Sequence, residues 1–414
     1  MNKSIIVVNY GLPPNEGIGG RRWAKLSKGL ANLGYHITVI AAQPEKNHLS
    51  PWIADISHPN INAKYLPKKY PSFISHSGNS FLDSIKFRLT ILLLKFFEKG
   101  TVFDKAIFWK KQLSATLSEI CNNESVNIIV SGAPFNLMYY VALLKEKGII
   151  KMNLLVDFRD PWIGAENYGM AALNGRRAKV EFNKFITVCE NADKIISPNE
   201  ILSKELSIIS KQKNVDESKF VTLNHFFDPD DVREENVDSN DKSAPILIIY
   251  GGTLYSGTEL HLIELKNELD TIYRNDRGLY DRLRIEFYTP EIFHKKIFKD
   301  HPEVYFSKPI GKMIFERAAL ASGILLFYNN RNKNYPTSKI FEYLPYKKPF
   351  IVYCNGGLVG KYIIDHGWGI KITKKNSFIE VIKNIENGNL SFNTSSINSF
   401  SLTKKVKQLE SWLV

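Results

Sequence analysis

Short apolar runs rich in β-branched residues recur along this chain. Each is followed by a longer segment in which apolar residues return every three or four positions. In the first half the runs lie at 5–10, 36–42, 127–131, 154–158, 194–197 and 220–223, and helical patterns at 20–33, 108–122, 137–147, 174–191 and 200–210. The alternation stops at 228–242, DPDDVREENVDSNDK, a polar stretch without periodicity that reads as a linker or surface loop. It resumes with strands at 246–250, 284–288, 304–306, 324–328, 350–353 and 369–372. Helices are predicted between them at 259–273, 290–299, 311–321, 338–344, 358–366 and 377–386, and a last one at 402–413. Strand–helix alternation of this kind predicts an α/β fold with parallel sheets covered on both faces. A length of 414 residues fits two such domains. The expected division is 1–227, a linker at 228–243, and 244–399, with the segment 400–414 packing back on the first domain. Ligands of such sheets bind beyond the carboxyl ends of the strands, so a cleft between the domains is the expected site.

Composition narrows the classes. With 44% hydrophobic and 23% charged residues, the chain is a globular protein. Its formal net charge of +13 favours an anionic partner. Nucleic acid is the weakest candidate, because the chain has no zinc finger, RNP-like strand or long basic tail. Cys121, Cys189 and Cys354 are widely spaced, which excludes a CxxC zinc site and suits a reducing, cytoplasmic compartment. The apolar run after Ser4 is too short for a signal peptide and reads as a first strand. One stretch breaks the alternation. FLDSIKFRLTILLLKFF, at 81–97, mixes Lys86, Arg88 and Lys95 with large apolar residues and is too short to span a bilayer. It reads either as a helix packed on the domain or as a membrane-surface helix at the inner face, serving a lipid-linked acceptor.

Four motifs could carry chemistry. The first strand runs into Asn9-Tyr10-Gly11-Leu12-Pro13-Pro14 and then Gly17-Ile18-Gly19-Gly20-Arg21-Arg22. Gly19 and Gly20 allow backbone amides to approach a phosphate, and Arg21 and Arg22 either face a phosphate or lipid headgroup or are solvated. Strict GxGxxG spacing is missing and no acidic residue ends the second strand, which argues against a dinucleotide dehydrogenase. Next, Asp157-Phe158-Arg159-Asp160-Pro161-Trp162 ends a buried strand. Asp157, Arg159 and Asp160 either pair with one another or act on the acceptor and the developing charge. The third motif, Tyr250-Gly251-Gly252-Thr253, repeats the logic of the first at the start of the second domain. The last, Pro336-Thr337-Ser338-Lys339-Ile340-Phe341-Glu342, opens a short helix whose amides suit a diphosphate, with Glu342 one turn further to accept from ribose hydroxyls. The Asp-x-Asp at 228–230 falls in the polar stretch and reads as solvated, so no bound metal is expected.

Together the glycine turn, SGAPFN at 131–136, VDFRDPW, ENADKIISPN at 190–199, YGGTLY and PTSKIFEYLPYKKPF resemble glycosyltransferase family 4, over nearly the whole chain. DFRDPW is similar to a subgroup involved in surface polysaccharide or lipopolysaccharide assembly. The resemblance implies a GT-B fold of two Rossmann-like domains. It also implies retaining sugar transfer from a nucleoside diphosphate sugar to a glycan or polyprenyl-linked acceptor, with no metal or other cofactor. It implies donor contacts from Thr337, Ser338, Lys339 and Glu342, with Gly19 and Gly20 reaching the diphosphate from the other domain, and the residues of the third motif, Gly252 and Thr253, are read as donor-binding beside them. The sequence departs from the family at Asn334, where the family often has a Glu eight positions before the ribose-binding one. It also lacks the usual Arg and Lys between 252 and 259, and the usual first-domain His is not evident. Two other classes share the fold: a nucleotide-sugar 2-epimerase, which needs acid–base groups at the sugar ring, and a non-catalytic partner subunit.

Overall fold

Two all-parallel sheets organise the chain, one of seven strands and one of six. The computed structural model describes residues 3–15, 18–44, 50–74, 80–121, 125–164, 169–232, 244–330 and 332–414. The chain divides into two units, Met1–Asn224 with Lys405–Val414, and His225–Lys404.

The first unit runs β1 (Ser4–Asn9), α1 (Arg21–Asn32), β2 (His36–Ala42), β3 (Ile61–Leu66), α2 (Phe81–Phe97), α3 (Lys110–Cys121), β4 (Val126–Gly132), α4 (Asn136–Glu146), β5 (Met152–Phe158), α5 (Gly175–Asn191), β6 (Lys194–Ser197), α6 (Glu200–Ser210) and β7 (Phe220–Thr222). Its strand order is β3-β2-β1-β4-β5-β6-β7. Every residue of β4 is buried, as expected of a central parallel strand covered on both faces. The order reverses between β1 and β4, and around that point the Gly19–Gly20 turn lies beyond the carboxyl end of β1 while the DFRDPW segment forms the carboxyl end of β5 and the residues after it. β3 is an edge strand the hydrophobic pattern does not reveal. INAKYL has no sustained apolar run, and its residues are half-buried or exposed.

The second unit runs β8 (Ile246–Gly251), α7 (Glu259–Asn275), α8 (Arg277–Arg282), β9 (Leu283–Tyr288), β10 (Val304–Ser307), α9 (Ile314–Leu320), β11 (Gly323–Tyr328), α10 (Ser338–Tyr343), β12 (Phe350–Cys354), α11 (Val359–Asp365), β13 (Gly369–Lys371), α12 (Phe378–Glu386) and the start of α13 (Leu402–Glu410). The order β10-β9-β8-β11-β12-β13 reverses between β8 and β11. Gly252 and the loop leading to α10 follow those two strands. The helix expected at 290–299 is a 3-10 run, Ile292–Phe298, and the one at 311–321 divides into a 3-10 turn, Gly311–Met313, and α9.

The acidic stretch is not solvated at its start. Asp228 is buried and caps the turn Pro229–Asp231, and buried Asp231 accepts from Lys312 Nζ at 3.0 Å. Residues 233–243 of the expected linker lie outside the described residues. The unit boundary falls between 224 and 225 because 225–232 joins the second unit.

From Lys405 the chain packs on the first unit. Val406 presses on Gly29, where a β-carbon would lie 2.4 Å from Val406 Cγ2. Tyr35 Oη donates to Glu410 at 3.2 Å, and Asn127 Nδ2 donates to the Val414 carbonyl at 2.8 Å.

Candidate functional site

In the first unit the glycine turn is built for close approach. A β-carbon on Gly20 would lie 2.2 Å from the Gly11 carbonyl oxygen, so no larger residue fits there. Gly20 is also the N-cap of α1, which has neither a side-chain cap nor an acidic residue in its first turn. The positive end of the helix is thus left to backbone amides. Arg159 supports the turn. Its Nε donates to the Gly132 carbonyl at 2.8 Å, and its two terminal nitrogens donate to the carbonyls of Gly19 at 2.5 Å and Ala133 at 3.0 Å. All three partners are carbonyls, so no carboxylate cancels the guanidinium charge through these bonds. A β-carbon at Gly19 would meet that guanidinium at 2.8 Å. The structure therefore brings Gly19, Gly20 and Arg159 together, and half-buried Asp160 follows in the chain.

Asp157 is placed differently. It is 0% exposed. Its carboxylate accepts from Trp23 Nε1 at 2.7 Å, Ser131 Oγ at 3.2 Å, and Arg22 Nε and a terminal nitrogen at 3.3 and 3.4 Å. Arg22 further donates to the carbonyls of Leu223 and Asn224. Arg21 is buried with its guanidinium 4.9 Å from the Trp52 ring. Arg21 and Arg22 are therefore not solvated, and the Asp157 carboxylate is enclosed by these protein donors. These groups anchor α1 and the ends of β4 and β5. Trp162, at the end of the same motif, is buried and donates to Glu181 at 2.9 Å.

In the second unit, Lys339 is the centre of the arrangement. Its ammonium sits 4.8 Å from the Tyr250 ring centroid and donates to Tyr250 Oη at 3.3 Å. A β-carbon on Gly252, whose φ is +134°, would lie 2.1 Å from Nζ. Lys339 as a whole is half-buried, yet its ammonium is packed among protein atoms. Burial lowers its pKa to about 8, against the opposite pull of the carboxylates of Glu342 and Glu291. Tyr250 Oη in turn donates to the Thr253 carbonyl at 2.7 Å. Thr337 caps α10 by position only. Its hydroxyl lies 3.1 Å from that of Tyr328, leaving the first amides of the helix without a side-chain cap. Ser338 and Glu342 are half-buried on the same short helix. Gly252, Thr253, Lys339 and Glu342 are thus gathered at one place, while Asn334 is exposed.

Glu291 escaped the sequence reading. Its Oε2 accepts from Leu254 N at 3.0 Å and from Thr289 Oγ1 at 2.5 Å, which fixes the loop after β8. The signal was its position, three residues beyond the end of β9 and beside the glycine loop, since strand ends collect functional groups in such sheets. No group of three or more His, Cys, Asp or Glu residues suited to a metal ion occurs among the described residues. No helix among them is long and apolar enough to cross a membrane.

No family profile matches the chain, and no curated protein matches it in sequence. Solved structures do match in fold. The apo form of the lipopolysaccharide outer core galactosyltransferase WaaB is 11% identical, with 99% of this chain and 98% of that one covered, at a TM-score of 0.58. A glycosyltransferase from Rickettsia africae ESF-5 is 14% identical, with 99% and 97% covered, at 0.60. The UDP-GlcNAc 2-epimerase of Methanocaldococcus jannaschii is 15% identical, with 99% and 98% covered, at 0.54. The fold is GT-B, built of two Rossmann-like units with parallel sheets. At such identities the likeness extends to the fold alone, and glycosyltransferases and an epimerase share it.

Proposed function

We propose that the protein is a glycosyltransferase that moves a sugar, with retention, from a nucleoside diphosphate sugar to a glycan or polyprenyl-linked acceptor. Surface polysaccharide or lipopolysaccharide assembly is the setting that the DFRDPW resemblance implies. The observation that carries this reading is the Lys339 ammonium, held over Tyr250 against Gly252, with Glu342 one turn along the same helix. A buried cation beside uncapped amides suits a diphosphate, and the carboxylate suits paired ribose hydroxyls.

In this reading the bond between the anomeric carbon and the β-phosphate oxygen breaks, and its electron pair leaves on that oxygen. Lys339 and the amides around Gly252 and α10 stabilise the charge that develops there. The acceptor hydroxyl bonds to the anomeric carbon on the same face, and its proton passes to the departing phosphate. The first unit is assigned to the acceptor. Its Gly19–Gly20 amides and Arg159 are assigned to phosphate charge, with Asp160 beside them. No metal or cofactor is assigned a role. The reading includes a cytoplasmic location with attachment to the inner face of the membrane.

Labelled nucleoside diphosphate sugars, first screened by thermal shift, test the proposal. A ligand at about 100 times its dissociation constant adds about 2.7 kcal/mol of stability. Transfer of label to an acceptor, surviving EDTA, is the expected result. Release of a free epimer without acceptor would assign the epimerase reaction instead. Binding without either product would leave a non-catalytic subunit.

A further inference from the structure

Among the described residues of the first unit, most of the exposed large apolar side chains lie on α2. Its start is set by a capping box, in which Ser80 Oγ accepts from Asp83 N at 3.1 Å and Asp83 accepts from Ser80 N at 3.4 Å. Its end is tied to the unit. Arg177 donates to the carbonyls of Lys95, Glu98 and Gly100, and Glu98 accepts from buried Lys184 at 2.9 Å. Between these ends the helix has two different apolar faces. At about 100° per residue, Phe87, Ile91 and Leu94 share one side. Leu94 is buried and the other two are half-buried, so this side faces the protein. The opposite arc, about 100° wide, holds Phe81, Leu82, Ile85, Leu89, Leu92 and Phe96, and Leu93 and Phe97 extend it by about 60°. All of these are exposed, Phe81 at 80% and Phe96 at 78%.

Charge frames this second face. Lys86 lies near one edge, between Leu93 and Phe97 and with its ammonium 4.7 Å from the Phe73 ring, and Arg88 and Lys95 lie at the other edge. The only acid on the helix, Asp83, falls on the far side. A second copy packed antiparallel on this face would oppose cation to cation at both edges. An anionic lipid surface accepts both features, since acyl chains take the apolar arc and headgroups take the flanking cations. The chain's net charge of +13 acts in the same sense.

We infer that α2 lies in the plane of an anionic membrane surface, with Phe81, Leu89 and Phe96 among the acyl chains and Lys86, Arg88 and Lys95 at the headgroups. This deepens the attachment named above but does not depend on the donor assignment. The test is sedimentation of the full chain with phosphatidylcholine vesicles, with and without phosphatidylglycerol, at low and high salt. Wild type is expected to pellet with the anionic vesicles and to be released by salt. A variant carrying Lys86→Gln, Arg88→Gln and Lys95→Gln should partition about a hundredfold more weakly, at about fivefold for each cation. Leu89→Asp with Phe96→Asp should remove binding at any salt. Nucleotide-sugar affinity by calorimetry should be unchanged in both variants, which also reports that they fold and keeps this result separate from the donor reading. Failure of the wild type to bind anionic vesicles at low salt overturns the proposal, as does equal binding by the neutralised variant. So does a wild-type dimer that Leu89→Asp dissociates without any vesicle binding, which would assign the face to a second copy.

Discussion

Gly252 and Lys339 occupy adjoining space, and a β-carbon on the first would lie 2.1 Å from the ammonium of the second. Two motifs 87 positions apart in the chain thereby meet at one place. Gly252→Ala should displace the lysine and strain a backbone held at φ +134°. We expect a stability loss of about 1–3 kcal/mol. Nucleotide-sugar affinity should fall further than stability predicts. Thermal melts and calorimetry on the same variant separate the two effects.

The lowered pKa of Lys339, about 8, gives the donor site a pH dependence. Burial is its main cause, so the ammonium loses its proton as pH rises through that value. The protonated form binds the diphosphate. Affinity should therefore be full near pH 6.5 and decline from about pH 8 upward. Binding at pH 8 should take up a fraction of a proton, because the bound diphosphate restores the charge. Calorimetry in buffers of different ionisation enthalpy measures that uptake. Nucleotide sugars suit the experiment because neither phosphate titrates in this range. Lys339→Arg should abolish the uptake, since the guanidinium stays charged.

Glu342→Ala should weaken nucleotide binding by about 1.5–3 kcal/mol, the range for hydrogen bonds to a charged group. Folding should be nearly unaffected, because the side chain is only half-buried on the surface of a short helix. Unchanged nucleotide affinity would remove Glu342 from the ribose.

Asp157→Ala should behave in the opposite way. It leaves Arg22 buried without its carboxylate, at a cost of about 3–5 kcal/mol, which corresponds to a melting temperature lower by roughly 10 °C. Nucleotide-sugar affinity should persist in the fraction that folds. Replacing Arg22 with Met in the same chain should recover part of the stability, as removal of both charges often does.

The alternation of apolar runs was enough to place nearly every strand, because parallel strands buried on both faces have no polar positions to blur the pattern. β3 escaped because INAKYL has no sustained apolar run, whereas β7, β10 and β13, equally open, carry one. The motifs that hold Gly252, Lys339 and Glu342 were legible as a glycine turn and a helix start, because both have local signatures. Which of several charged residues at a strand end faces outward was not legible. Asp157 and Arg159 are two positions apart on β5 and just beyond it. Asp157 is enclosed by Trp23, Ser131 and Arg22, whereas Arg159 grips Gly19 and Gly132. Those partners come from distant parts of the chain, so spacing alone could not sort the two. The outward face of α2 was hidden similarly, because a helix apolar on two sides gives no periodic clue to which side packs.

The return of residues 405–414 to the first unit makes the second unit an insertion in chain order. The backbone passes from one unit to the other twice, so a single break at 224–225 would leave both pieces linked through α13. The final ten residues also carry part of the first unit's core, through Val406 on Gly29 and Glu410 on Tyr35. Folding of the first unit must therefore wait for a segment separated from the rest of it by the whole of the second. A ribosome would finish His225–Lys404 before the last piece of the earlier unit emerged, and the second unit is free to fold first.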